Sequence, residues 1–264
     1  MKKLASLILA LALMLSCAAA LAEEAPASDV TVKTGLTWND TWGLTVANIV
    51  EQDGQVVKIL VDVVRDGLSS KEKYNDYGIG PVSSIGKEWW EQVAFLEDWV
   101  RDNGVDEVVY DGDGHATVPD VISGATINIA DFTTAIQNAK ADAADVAEIN
   151  GYTVKTGLAV SPTWGPTVAN VVLKDGEIVK VLVDVVRDGQ SSKEKFDDYG
   201  VKSASTLGKE WWEQVKSYEE WVAANGADQV ECDENGHALN PDLISGATIN
   251  VSDFTAAVLD ALSK

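Results

Sequence analysis

A single register relates the two halves of this chain. From about Thr31 to Ala139, a shift of 122 positions lays each residue on its counterpart in 153–261 without insertion or deletion. Well over half of the paired positions are identical. They include the blocks Thr31–Leu36, Val61–Gly67, Ser69–Lys73 and Gly86–Val93, with their copies at Thr153–Leu158, Val183–Gly189, Ser191–Lys195 and Gly208–Val215. A period this long is a duplicated domain rather than a solenoid unit, and each copy is near the usual size for burying its own core. The expected organisation is a first domain at 29–140, a linker at 141–150 rich in Ala and Asp, and a second domain at 151–264.

Within one copy, Val30–Leu36 alternates and is rich in β-branched residues, as a half-buried strand should be. Thr45–Glu51 and Val56–Arg65 flank Asp53-Gly54, a strong short-range hairpin signal, and the second copy keeps it at Asp175-Gly176. Ile85–Asn103 has the apolar spacing of a helix that stops at Gly104. Glu107–Tyr110 and Ala116–Val118 read as short strands around Asp111-Gly-Asp-Gly114. A last amphipathic helix starts near Ile129. Hairpins dominate over β-α-β units, so the expected fold is α+β, with a largely antiparallel sheet and packed helices in each copy.

Met1-Lys2-Lys3, the apolar run Leu4–Ala20 and the small-residue site Ala20-Leu21-Ala22 have the order of a secretory signal peptide at 1–22. An uncleaved anchor is the alternative, as is lipidation at Cys17 through the partial lipobox Met14-Leu15-Ser16-Cys17. Either would put the protein on a membrane. The expected location is extracytoplasmic: secreted, periplasmic or at the cell surface. The formal charge is −22; loss of 1–22 removes Lys2 and Lys3 and no acid, which leaves −24. Such a chain is repelled by nucleic acid and anionic lipid, which favours cationic partners or serves solubility alone. With Cys17 in the leader, Cys232 stands alone. A leaderless chain has no internal disulfide, and its sequence has no haem-attachment motif.

Asp120-Val-Ile-Ser123-Gly124-Ala125-Thr126 returns as Asp242-Leu-Ile-Ser245-Gly246-Ala247-Thr248, and both copies continue Ile-Asn-x-x-Asp-Phe-Thr. The pattern Asp-x-x-Ser-Gly-Ala-Thr resembles the attachment site of the FMN-binding domain family. That family includes flavin-carrying subunits of the sodium-pumping NADH:quinone reductase and of the Rnf complex, and extracellular electron-transfer flavoproteins. The resemblance implies two FMN groups, esterified through phosphate to Thr126 and Thr248 by a transferase that consumes FAD. It also implies that Asp120 and Asp242 serve recognition by that transferase. The small residues let backbone or phosphate approach closely. The helix start downstream is expected to favour the phosphate through its free N–H groups and its dipole. Without a cofactor, the same loop is a tight turn with a capping threonine.

Nine tryptophans occur, and eight pair between the copies. On helical phase, Trp89 and Trp99 fall with the core stripe, whereas Trp90 and its copy Trp212 fall off it and are candidates for a flavin wall or a partner surface. Trp42 and Trp164, in Thr-Trp-Gly loops, either cover a flavin ring or plug a sheet end. Lys71 and Lys193, in identical Ser-Ser-Lys-Glu-Lys loops, either face a reduced flavin or start a solvated helix capped by Ser. His115 and His237 fall in Asp-rich turns and read as surface residues, not as a metal site. The resulting expectation is an exported carrier that passes electrons between membrane or extracellular redox partners, with no catalytic side chain required. The alternatives are a secreted non-redox module that binds cell-wall glycan, and a flavin-carrying partner of a separate reductase.

Overall fold

The computed structural model describes residues 29–141 and 144–264; the leader and Cys17 lie outside them. Strands β1 (Val30–Asn39), β2 (Gly43–Gln52), β3 (Gln55–Arg65) and β4 (Leu68–Ser69) form an antiparallel sheet in chain order. A 3-10 segment, Lys71–Tyr77, leads to helices α1 (Trp89–Asn103), α2 (Pro119–Ile122) and α3 (Ala130–Ala141). The second half repeats the series. It has β5 (Val146–Ile149), β6 (Tyr152–Ser161), β7 (Gly165–Lys174), β8 (Glu177–Arg187) and β9 (Gln190–Ser191), a 3-10 segment Lys193–Tyr199, then α4 (Trp211–Asn225), α5 (Pro241–Ile244) and α6 (Ser252–Leu262). The protein is therefore α+β, with two antiparallel sheets and packed helices.

Strand periodicity explains the layering. Residues of one parity, Ala47 and Ile49 on β2 with Ile59, Val61 and Val63 on β3, pack under α1 and α3. Residues of the other parity face the second sheet: Val46 and Val64 pack with Val154, Val172 and Leu182, and Val50 and Leu60 with Val168 and Val186. The order of layers is helices, sheet, sheet, helices. Both sheets are covered on both faces, which is why the central strands read as nearly continuous apolar runs. Gly35 lets α3 lie close against β1, since a Cβ there would stand 2.2 Å from the Ala135 carbonyl oxygen. In the Asp53-Gly54 turn both residues have positive φ, 51° and 76°, as the hairpin signal requires.

Equivalent residues meet across the sheet contact. Thr34 and Thr156 share a hydrogen bond of 2.6 Å, and Asn48 and Asn170 exchange bonds of 3.2 and 2.7 Å. Self-pairing of equivalent positions marks a pseudo-twofold axis, the isologous arrangement of a dimer built into one chain. Around it lie two buried charge clusters. Lys58 and Lys71 meet Glu97 and, from the other half, Glu194; Lys180 and Lys193 meet Glu219 and Glu72. Tyr74 stacks on Phe196 at 4.3 Å, with Trp90 and Trp212 on either side. Both stacked residues have positive φ, 48° and 43°, a conformation costly for an aromatic residue and sustained here by surrounding packing.

Three local expectations are corrected. The helix expected at Ile85 begins at Trp89. Gly86 has φ +68°, and Glu88 caps the helix in a capping box with Glu91 while also accepting the N–H groups of Ile79 and Gly80. The strands expected at 107–110 and 116–118 reduce to one bridge, Tyr110 to Ala116, after a 3-10 turn at Val105–Glu107. Part of the linker is β5, which pairs with β6 through an Asn150-Gly151 turn whose φ angles are 51° and 74°.

Candidate functional site

The Ser-Gly-Ala-Thr loop is clamped from two sides. Helix α2 ends at Ser123, whose hydroxyl donates to the Asp120 carbonyl at 2.7 Å. Ala125 is fully buried, whereas Asp120 and Ser123 are exposed and Thr126 is partly so. From α1, the buried Gln92 side chain accepts the Thr126 N–H at 2.8 Å, the Thr126 hydroxyl at 3.2 Å and the Ile127 N–H at 3.3 Å. Gln92 Nε2 donates in turn to the Lys87 carbonyl at 2.9 Å. Gln214 holds Thr248 in the same way, at 2.9 and 3.2 Å. From the other side, the Asp111–His115 turn pairs with the chain just past Thr126: His115 bridges Asn128, and the Ile129 N–H donates to the Gly114 carbonyl at 2.8 Å.

Gly124 has a steric reason, because a Cβ there would stand 2.2 Å from the Phe95 ring. At Gly246 it would meet the Ser217 side chain at 2.8 Å. At the expected phosphate cradle, the first N–H of α3 and two N–H groups upstream already have partners. Asn128 Oδ1 accepts the Ala130 N–H, and Gln92 holds the N–H groups of Thr126 and Ile127. The cation beside each loop is a lysine that sequence reading passed over. Lys87 Nζ lies 5.2 Å over Phe95, and Lys209 Nζ is 3.4 Å from the Gly246 carbonyl oxygen.

One residue beyond Thr126 a cleft of about 400 Å³ opens. Trp42, Tyr77, Trp89 and Phe132 form its aromatic walls, and Arg65, Lys73, His115 and Asp131 are its ionisable lining. Tyr77 stacks on Trp89 at 5.4 Å and 13°, and Phe132 meets Trp89 edge-on at 5.8 Å and 89°. The second half repeats this: Tyr199 on Trp211 at 5.2 Å and 10°, Phe254 at 5.8 Å and 90°. The 122-residue shift carries these eight side chains onto Trp164, Tyr199, Trp211, Phe254, Arg187, Lys195, His237 and Asp253 without a change of residue type. Asn39 Oδ1 accepts the N–H groups of Thr41 and Trp42, which fixes the Trp42 loop at the cleft. Trp42 remains 50% exposed and Trp164 44% exposed, so neither plugs a sheet end.

The fold separates the remaining candidates. Trp90 and Trp212 lie in the aromatic contact between the halves, away from the cleft-lining residues, and Trp90 donates to Asn75 at 3.3 Å. Lys71 and Lys193 are buried in the charge clusters, neither at the cleft nor at a solvated helix start. The cap in that segment comes from Ser69, whose hydroxyl accepts the Glu72 N–H at 3.1 Å. The lysine that reaches the cleft is Lys73, and its signal was its two-residue offset from Lys71. Burial pushes the Glu97 carboxyl up to about 8, helped by the neighbouring Glu194. Burial works the same way on Glu194, but Lys71 and Lys58 outweigh it and hold that carboxyl well below the usual range. Cys232 is half-buried, and burial together with Asp233 raises its thiol, which suits packing rather than reactivity.

No family model matches the chain, and no solved structure matches it. Among curated proteins, a chlorophenol reductase of Desulfitobacterium hafniense is similar, at 28% identity. The match covers 28% of this chain and 33% of the relative, so the chain spans about a third of that reductase's length. No helix among the described residues is long and apolar enough to cross a membrane.

Proposed function

We propose that this chain is an exported electron carrier bearing two FMN groups, joined through phosphate to Thr126 and Thr248. The observation that carries the reading is the duplicated site. Each threonine is partly exposed on a clamped loop of small residues, and in the first half that loop opens into a cleft whose aromatic and charged lining recurs unchanged in the other half. The residues present fit the group. The cleft has the size and the mixture of apolar walls and few polar groups typical of cofactor sites. Trp42 and Tyr77 offer faces to an isoalloxazine ring, with Trp89 backing Tyr77 from the core, Lys87 lies beside the phosphate position, and Lys73 and Arg65 offset negative charge on a reduced ring. When bound, FMN supplies the redox chemistry, and the chain supplies attachment, shielding and tuning of potential. Covalent attachment suits a protein outside the cytoplasm, where lost FMN is not recovered.

The similarity of one segment to a reductase supports a redox role, and the paired sites support storage or relay of electrons. An FAD-dependent flavin transferase is the partner that loads the protein. The electron partners are membrane-bound or extracellular, and the strong negative charge favours basic ones. Lipidation of Cys17 would tether the carrier to a membrane. Co-expression with such a transferase tests the reading: the purified protein should be yellow, and the colour should survive acid precipitation. A colourless product would favour a binding module that uses the exposed Trp42 and Trp164 as sugar platforms.

A further inference from the structure

His115 and His237, the two histidines of the chain, stand at equivalent positions. His115 lines the first cleft. Its backbone is pinned by Asp111, whose Oδ1 accepts the N–H groups of His115 and Asp113 at 2.9 and 3.0 Å. The bridge to Asn128 then holds the His115 backbone opposite a residue two positions past Thr126. Gly114 permits that closeness, because a Cβ there would stand 2.3 Å from Asn128 Nδ2. The ring faces Asp111 on its own turn, Nδ1 to Oδ1 4.0 Å, with the side chain about half exposed. Across the cleft are Lys73 and Tyr77 from the 3-10 segment, Arg65 from the end of β3 and Asp131 from α3. In the second half His237 Nδ1 stands 3.5 Å from Asp233, on an identically pinned turn. One edge of each imidazole is thus open to water, and in the first half the ring borders the cleft.

Resting on the flavin reading, we infer that His115 and His237 bind the proton that balances the charge of the reduced cofactor. With FMN bound, a reduced donor would deliver two electrons to the ring, and one solvent proton taken up with them would leave it one negative charge. The imidazole at the cleft would take a second solvent proton and become a cation. The sum is two electrons and two protons per site, one proton on the ring and one on the protein. Histidine suits the task because its charge changes between about pH 5 and 8.

The test uses Thr248→Ala protein, which carries a single flavin in the first half, with and without His115→Gln. Dithionite is the reductant, and midpoint potential is followed from pH 5 to 9. The parent should show a segment near neutral pH that is steeper by about 30 mV per pH unit, one extra proton for two electrons. His115→Gln should lose that segment while keeping its flavin. A second readout is the proton NMR titration of the two histidine rings. In the parent, His115 should titrate at higher pH in reduced than in oxidised protein. In the flavin-free Thr126→Ala, Thr248→Ala protein, redox state should change neither ring. A flavin-bearing His115→Gln protein with the parent's pH dependence overturns the inference alone. A parent protein that carries no flavin overturns the functional reading and the inference with it.

Discussion

Two lysines two residues apart separate the charge cluster from the cleft, and substituting each distinguishes them. Lys71 Nζ stands 2.8 Å from Glu97 and also pairs with Glu194, whose side chains are 0% and 10% exposed. Lys71→Ala leaves Lys58, 3.2 Å from Glu97 and 3.0 Å from Glu194, as the single cation facing two buried carboxylates. Breaking a buried pair costs about 3–5 kcal/mol. Glu97 already sits up at about 8 and can take a proton, so the loss should fall near the lower end, about 3 kcal/mol, at neutral pH. Lys73 is exposed, with Nζ 5.2 Å over the Tyr77 ring. Lys73→Ala should cost about 0.5 kcal/mol. It should also lower the flavin potential by tens of millivolts, the scale of about 1 kcal/mol for a charge near a solvated site. Urea unfolding followed by tryptophan fluorescence reads the first effect as a drop in midpoint at unchanged slope. Lys193→Ala and Lys195→Ala repeat the comparison in the second half. A Lys71→Ala protein destabilised by less than about 1 kcal/mol would refute the reasoning, as would a Lys73→Ala protein that unfolds while Lys71→Ala does not.

Trp89→Ala should destabilise by about 3–5 kcal/mol, because it removes a buried ring stacked on Tyr77 and met edge-on by Phe132. Trp90→Ala should leave the flavin spectrum unchanged and weaken the contact between halves instead, read as a probe-dependent unfolding transition. Gln92→Leu strands the N–H groups of Thr126 and Ile127 and should cost about 1–3 kcal/mol while lowering flavin occupancy at Thr126 but not at Thr248. For pH, Glu97 rises from 4.5 to about 8 on folding, so its stabilising contribution is complete below pH 4.5 and is lost as pH climbs through about 8; Glu219 shifts in the same direction. Glu72 and Glu194 shift downward, so theirs is present above pH 4.5 and lost as pH falls further. The urea midpoint should therefore peak near pH 5 and decline on both sides; a midpoint higher at pH 8 than at pH 5 would count against this protonation pattern.

Much of each half was legible because its signals are local. The Asp53-Gly54 hairpin, the alternation along β1 and the Trp89, Val93, Leu96, Val100 stripe each follow from neighbours in sequence. The contact between the halves was not. Lys58 and Asn48 sit in strands otherwise apolar, and part of what satisfies them, Glu194 and Asn170, comes from about 120 or more residues away in the other half. The same cause misled the reading of Lys71 and Trp90: a charged or aromatic residue off the helix stripe looks free until the other half covers it. Asn150-Gly151 carried a hairpin signal of its own, masked by its Ala- and Asp-rich surroundings. Of the candidate neighbours, Trp42 reached the cleft from a local Trp-Gly turn. Lys73 and His115 needed the folded turns to bring them to it.

The most direct test of the central claim is the intact mass of protein from a host with the flavin transferase. The account predicts two additions of FMN less water on the native chain, one on Thr126→Ala, one on Thr248→Ala and none on the double variant. A native chain at its unmodified mass, or either single variant that keeps both additions, would contradict it.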